Sequence, residues 1–170
     1  MKRMLLTIGG FAAVLLSVGL TGAVAANHTA GRAATVAVSG SELGRVLVDG
    51  RGRTLYLFER DKHGKSVCTG PCATAWPPLI ASGKPHAAAG ARASLLGTTK
   101  RADGRLQVTY NHHPLYTFIK DTRKGQTNGE NLNAFGAEWY AVSSAGAKVE
   151  KKNAAQSIVG SDPAPTGYGY

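Results

Sequence analysis

From Thr35 onward the chain alternates short apolar runs with clusters of glycine, asparagine and proline. Valine, leucine, tyrosine, phenylalanine and threonine fill the runs, a pattern that predicts strands joined by tight turns. Strands are predicted at Thr35–Val38, Arg45–Asp49 and Thr54–Phe58, and again at Leu96–Lys100, Arg105–Tyr110 and Leu115–Ile119. The connections "GRG", "RADG" and "NHHP" suit hairpin turns. Helical periodicity is weak: Ala73–Trp76 predicts one turn and Ala87–Leu96 a short helix.

The same pattern occurs twice. Thr35–Asp61 lies over Leu95–Asp121 at a constant offset of 60 with no gap, placing Val48 on Val108 and "LYLFERD" on "LYTFIKD". Two copies are too few for a solenoid. They predict an all-β, mainly antiparallel fold: a single compact domain over residues 35–152, built from two pseudo-twofold-related β-meander repeats with long Gly/Asn-rich loops. Repeat one covers about 35–80 and repeat two about 95–142.

Alternation assigns roles within the repeated stretch. Tyr56 and Phe58 share one strand face and Leu55 and Leu57 the other; Tyr116 and Phe118 repeat the arrangement. The aromatic face is predicted to form core, closed in each half by Trp76 or Trp139. Asp61 and Asp121 end their strands. They are predicted to accept backbone N–H bonds from the turns that follow, which would lower their pKa. The loop from Thr122 to Gly136, rich in glycine and asparagine, is the natural place for a site.

The ends read differently. Lys2 and Arg3, the apolar run Leu5–Leu20 and Ala23-Val24-Ala25 predict a secretory signal over residues 1–26. Retention as an anchor is the rival expectation. A small, polar linker over 27–34 follows, and residues 153–170 have the composition of a disordered tail. Nothing after the signal is long and apolar enough to span a bilayer. Losing Lys2 and Arg3 with the signal lowers the formal net charge from +10 to +8. The remaining basic residues, Arg101 among them, are scattered, as on a solvated surface; the sharper reading is weak attraction to anionic envelope polymers or lipid headgroups, or to an envelope protein. No nucleic-acid recognition motif accompanies them.

Candidate chemistry is sparse. Cys68 and Cys72 are the only cysteines, and in an exported chain they are predicted to pair. Should they stay reduced, they and a histidine would suit an extracellular redox, metal or haem-handling protein. His63, and at more distance His86, are the histidines nearest them in sequence. His112 and His113 sit in a predicted turn, where neighbouring side chains point in opposite directions. A copper or haem site would use one of them with Tyr116. Asp61 and Asp121, paired across the dyad, would suit a glycan hydrolase, although Arg60 and Lys120 beside them favour ionised carboxylates. No G-x-S-x-G, H-E-x-x-H or S-x-x-K motif occurs. The residues require no cofactor and name no catalytic group.

"YLFERD" and "YTFIKD" both fit Y-x-[FWY]-x-x-D. With "GKSVCTGPCATAWPPL" and "VTYNHHPLYTFIKDTRKGQTNGENLNAFGAEWY", they make the chain resemble, from about Gly44 to Val142, the bacterial "secreted repeat of unknown function" family of predicted lipoproteins. The resemblance implies a secreted or envelope-associated protein of paired repeats, and it implies no activity. Two departures stand out: no cysteine is available for N-terminal lipid attachment, and His112 occupies the glycine position of a "YNG" turn. The reading that results is an exported, non-enzymatic binding or scaffolding domain.

Overall fold

The computed structural model describes residues 33–150. The signal segment, most of the linker and the tail lie outside the described residues. Among the described residues nine strands form: β1 (Thr35–Ser41), β2 (Gly44–Asp49), β3 (Tyr56–Phe58), β4 (His86–Ala87), β5 (Leu96–Lys100), β6 (Leu106–Tyr110), β7 (His113–Pro114), β8 (Leu132–Ala134) and β9 (Ala137–Ala141). They build three sheets in the orders β2-β1-β4, β3-β9-β8 and β5-β6-β7, antiparallel except for β1 with β4. The fold is all-β and built from two repeats.

Several local expectations are corrected. The single helical turn forms as α1 (Pro71–Ala75). Residues 87–96 form no α-helix: they supply part of β4, a turn and the 3-10 turn Ala93–Leu95. Alanine's helix preference gives way there to backbone bonds with β1, such as Ala88 N–H to the Val36 carbonyl at 2.8 Å. Leu115–Ile119 is not a regular strand either. Tyr116 bridges Tyr56 and Pro78 singly, and Ile119 N–H reaches the Ala75 carbonyl. The predicted loop 122–136 contains β8, which pairs with β9.

The constant offset also fails locally. Val36 faces Asp49 across β1–β2, whereas Leu96, its twin, faces Tyr110 across β5–β6. Leu47, not Val48, is therefore the partner of Val108. Repeat two has one more residue in its first turn, and one fewer in its second. A one-residue shift turns every side chain to the opposite face, and the second shift restores register before the motif.

The repeats interpenetrate. Leu79 of repeat one donates its N–H to the Leu115 carbonyl and accepts from Val108 N–H in repeat two. Val142 of repeat two donates to Leu55 and accepts from Leu47 in repeat one. β9 likewise pairs with β3, the motif strand of the other repeat. Two cores result. Leu47, Leu55, Leu57, Val108, Leu115 and Val142 fill one, and the motif aromatics fill the other.

Candidate functional site

The motif strands meet at the centre. Tyr56 N–H donates to the Tyr116 carbonyl at 2.8 Å, and Tyr116 N–H returns a bond to Tyr56 at 3.0 Å. Each phenol then crosses to the other repeat: Tyr56 donates to Asp121 Oδ2 and Tyr116 to Asp61 Oδ2, both at 2.6 Å. Both tyrosines are fully buried. The rings beside them form one stack of Phe58, Trp139, Trp76 and Phe118, with centroids 4.0, 3.9 and 4.1 Å apart. Tyr56 and Tyr116 meet the tryptophans edge-on. The stack too alternates between repeats, since Phe58 rests on Trp139 and Phe118 on Trp76.

The aspartates cap loops. Asp61 Oδ1 accepts the Val67 N–H at 2.8 Å, and Asp121 Oδ1 accepts the Asn128 N–H at 2.9 Å. The expectation of depressed carboxyl pKa values is overturned. Desolvation outweighs the donated bonds and pushes both carboxyls above the usual carboxylate range. Burial and the adjoining carboxylate push both phenols up. Arg60 does not serve its neighbour; its guanidinium donates to the Phe135 carbonyl.

Cys68 and Cys72 form a disulfide with Cα atoms 5.3 Å apart, both buried against the aromatic core. Neither is then a thiolate ligand. Their loop is held by Arg101, placed on the surface by the sequence reading but only 5 % exposed. Its Nη1 donates to Ser66 Oγ and Gln107 Oε1, and its Nη2 to the Cys68 carbonyl, all at 2.6 Å. Ser66 Oγ lies 2.7 Å from the Tyr116 hydroxyl, so the network runs unbroken from Gln107 to Asp61. Sequence reasoning missed Arg101, Ser66 and Gln107, because a lone arginine in a turn carries no burial signal. It also missed Gly129, which lies so close to Trp76 that an added Cβ would stand 2.6 Å from the ring. Asp49 was missed too, although "DGRGR" announces an aspartate-capped turn. It accepts from Arg51 N–H, Arg53 N–H and the Arg53 guanidinium.

The histidines come together without forming a bonded cluster. His63, His112 and His113 line one cleft of about 490 Å³, with Glu59 and Asp61 also in its wall. Two tight turns deliver them. His63-Gly64 and Asn111-His112 all have φ between 47° and 70°, the left-handed region that hairpin turns require and that glycine and asparagine favour. An added Cβ on Gly64 would approach the His112 carbonyl, so the two turns touch. His63 and His112 are exposed. His113 is half-buried, and burial lowers its pKa. His86 lies in β4, beside Thr35 of β1. Among the described residues no group of three or more His, Cys, Asp or Glu is placed to hold a metal ion. None of their helices is long and apolar enough to cross a membrane.

Neither the curated proteins nor the solved structures hold a match to this chain. Residues 37–80 and 97–143 each match the family described as "Secreted repeat of unknown function", the two stretches that here exchange tyrosine–aspartate bonds and strand partners. The chain belongs to that secreted-repeat family.

Proposed function

We propose that the chain is an exported, non-enzymatic β domain that binds anionic polymers of the cell envelope, with the duplicated motif as its frame and the histidine-lined cleft as its binding surface. One observation carries the reading: the tyrosine hydroxyls and aspartate carboxyls of the motif are already engaged within the domain. Each aspartate holds the other repeat's phenol and a downstream amide, and each phenol is buried. That geometry supports a frame over a glycan-cleaving acid pair, which needs open carboxyls on either side of a substrate. The cleft supplies the groups the motif cannot, namely His63, His112 and His113. Lys62 in the same wall supplies a positive charge that a phosphate-bearing polymer would meet, and the exposed His63 and His112 rings stand beside it as hydrogen-bonding groups. The family's description as secreted supports the location.

The test is titration of isotope-labelled protein with soluble poly(glycerol phosphate), following the histidine rings by NMR. Expected are saturable shifts of the His63, His112 and His113 signals that weaken with salt. Unmoved histidines, or binding indifferent to salt, would discard the reading. Parallel titration with zinc(II) tests the metal-handling alternative, which the disulfide leaves with imidazoles and carboxylates alone.

A further inference from the structure

β1 and β5 are twins, with Val36 matching Leu96 and Val38 matching Thr98. Each pairs along one edge, β1 with β2 and β5 with β6. Their other edges differ. On β1 the chain leaving repeat one returns and runs parallel to the strand. His86 N–H donates to the Ala34 carbonyl, Ala88 N–H to Val36, and Val38 N–H to Ala89, each at 2.8 Å. β5 is the end of its sheet. Its ladder to β6 is framed by Asn111 N–H to Leu95 and Arg101 N–H to Arg105, so alternate backbone groups, those of Thr98 and Lys100 included, face outward. Among the described residues no backbone bond reaches them.

A cleft of about 480 Å³ lies along this edge, with Lys84, Pro85, Leu96, Thr98 and Leu106 in its wall. Leu106 is 44 % exposed, one of few large apolar side chains so placed among the described residues. Lys84 gives the wall a cation, and no acidic residue lines it. Lys100 adds another exposed cation on the strand itself. An unpaired edge beside an apolar groove is the requirement for strand addition, in which main-chain bonds hold the guest and pockets select its side chains.

We infer that the β5 edge receives an extended, acidic segment of another polypeptide. The guest lies parallel to β5 as His86–Ala89 lies parallel to β1; Leu96, Thr98 and Lys100 share one strand face with Leu106, so the guest's facing side chains mix apolar groups, which meet Leu96 and Leu106, with carboxylates, which reach Lys84 and Lys100. The occupied twin supplies the direction. A second copy of this chain fits less well: two β5 strands related by a twofold axis would run antiparallel and bring the same lysines face to face. This surface is separate from the histidine cleft, so the two readings stand or fall independently.

The probe is a capped heptapeptide, Val-Thr-Glu-Thr-Val-Thr-Glu, which places valine and glutamate in turn along one strand face, added to the full chain. Expected are saturable binding and at least tenfold slower hydrogen exchange at the Thr98 and Lys100 amides. Thr98→Pro removes an outward N–H that β6 does not use, and should abolish binding. Lys84→Glu, a surface change that leaves the backbone alone, should weaken it at least tenfold. Four results overturn the inference. They are no binding at millimolar peptide, binding untouched by either substitution, protection confined to the histidine cleft, and a Thr98 amide already protected in the free chain. In the last case sedimentation tells a second copy from the chain's own segments.

Discussion

At the scale of single residues, the reciprocal bonds fix what each substitution should do. Tyr56→Phe deletes a buried donor to a carboxylate and should cost about 1.5–3 kcal/mol by urea unfolding. Because that bond crosses between repeats, Tyr56→Phe should couple to Asp121→Asn in a double-mutant cycle and be additive with Asp61→Asn. Coupling to Asp61 instead would show each motif satisfying itself. The carboxyls also set a pH dependence. Both have folded pKa values above the ordinary range, so the folded chain keeps their protons to higher pH than the unfolded chain. The stability they contribute is complete below the unfolded pKa, about 4, and is lost as pH rises through the folded values. Wild type should therefore gain stability between about pH 7 and pH 4 relative to the Asp61→Asn/Asp121→Asn double variant, as urea midpoints across that range would show. His112 offers the opposite case. It holds a left-handed conformation that costs most side chains about 1–2 kcal/mol, so His112→Gly should raise stability by about 1 kcal/mol in thermal unfolding. The same change removes an imidazole from the cleft.

At the scale of elements, the tryptophans tie together what the strands begin. Trp76 stacks on Phe118 and Trp139 and meets Tyr56 edge-on, so Trp76→Ala should cost about 3–5 kcal/mol in chemical denaturation. The disulfide closes a small loop, and its reduction should cost about 2 kcal/mol or less. Exchange should then quicken first around Ser66–Cys72, where Arg101 holds the loop, and last in β2 and β6. Alternating apolar residues made β1, β2, β5 and β6 legible, because each pairs with a neighbour in sequence through a short turn. Leu115–Ile119 was misread as a strand because its partners, Tyr56, Pro77 and Ala75, lie far away in the chain. β8 and β9 were hidden because their turn carries Phe135 where asparagine would have signalled a hairpin. The aspartates were legible as caps but not as partners of the opposite tyrosine. Spacing records that both copies have a tyrosine and an aspartate, not which copy answers which. The histidine cleft was illegible for a similar reason: only the meeting of two turns brings His63 to His112.

At the scale of the whole molecule, the duplication builds one object from two incomplete ones. Repeat one lacks the backbone bonds that Val142 makes to Leu47 and Leu55; repeat two lacks those that Leu79 makes to Val108 and Leu115. A fragment holding residues 33–92 should therefore give the circular dichroism of an unfolded chain at micromolar concentration. Adding a fragment of residues 93–150 should restore strand signal. The interlocking has a consequence in time. Leu47 appears early in synthesis and Val142 near the end, so the first half cannot close while the second is still being made. Contacts so distant in sequence fold slowly. For a chain that leaves the cell, slowness is useful: a polypeptide that stays open until its last third emerges can be threaded through a narrow channel before it locks.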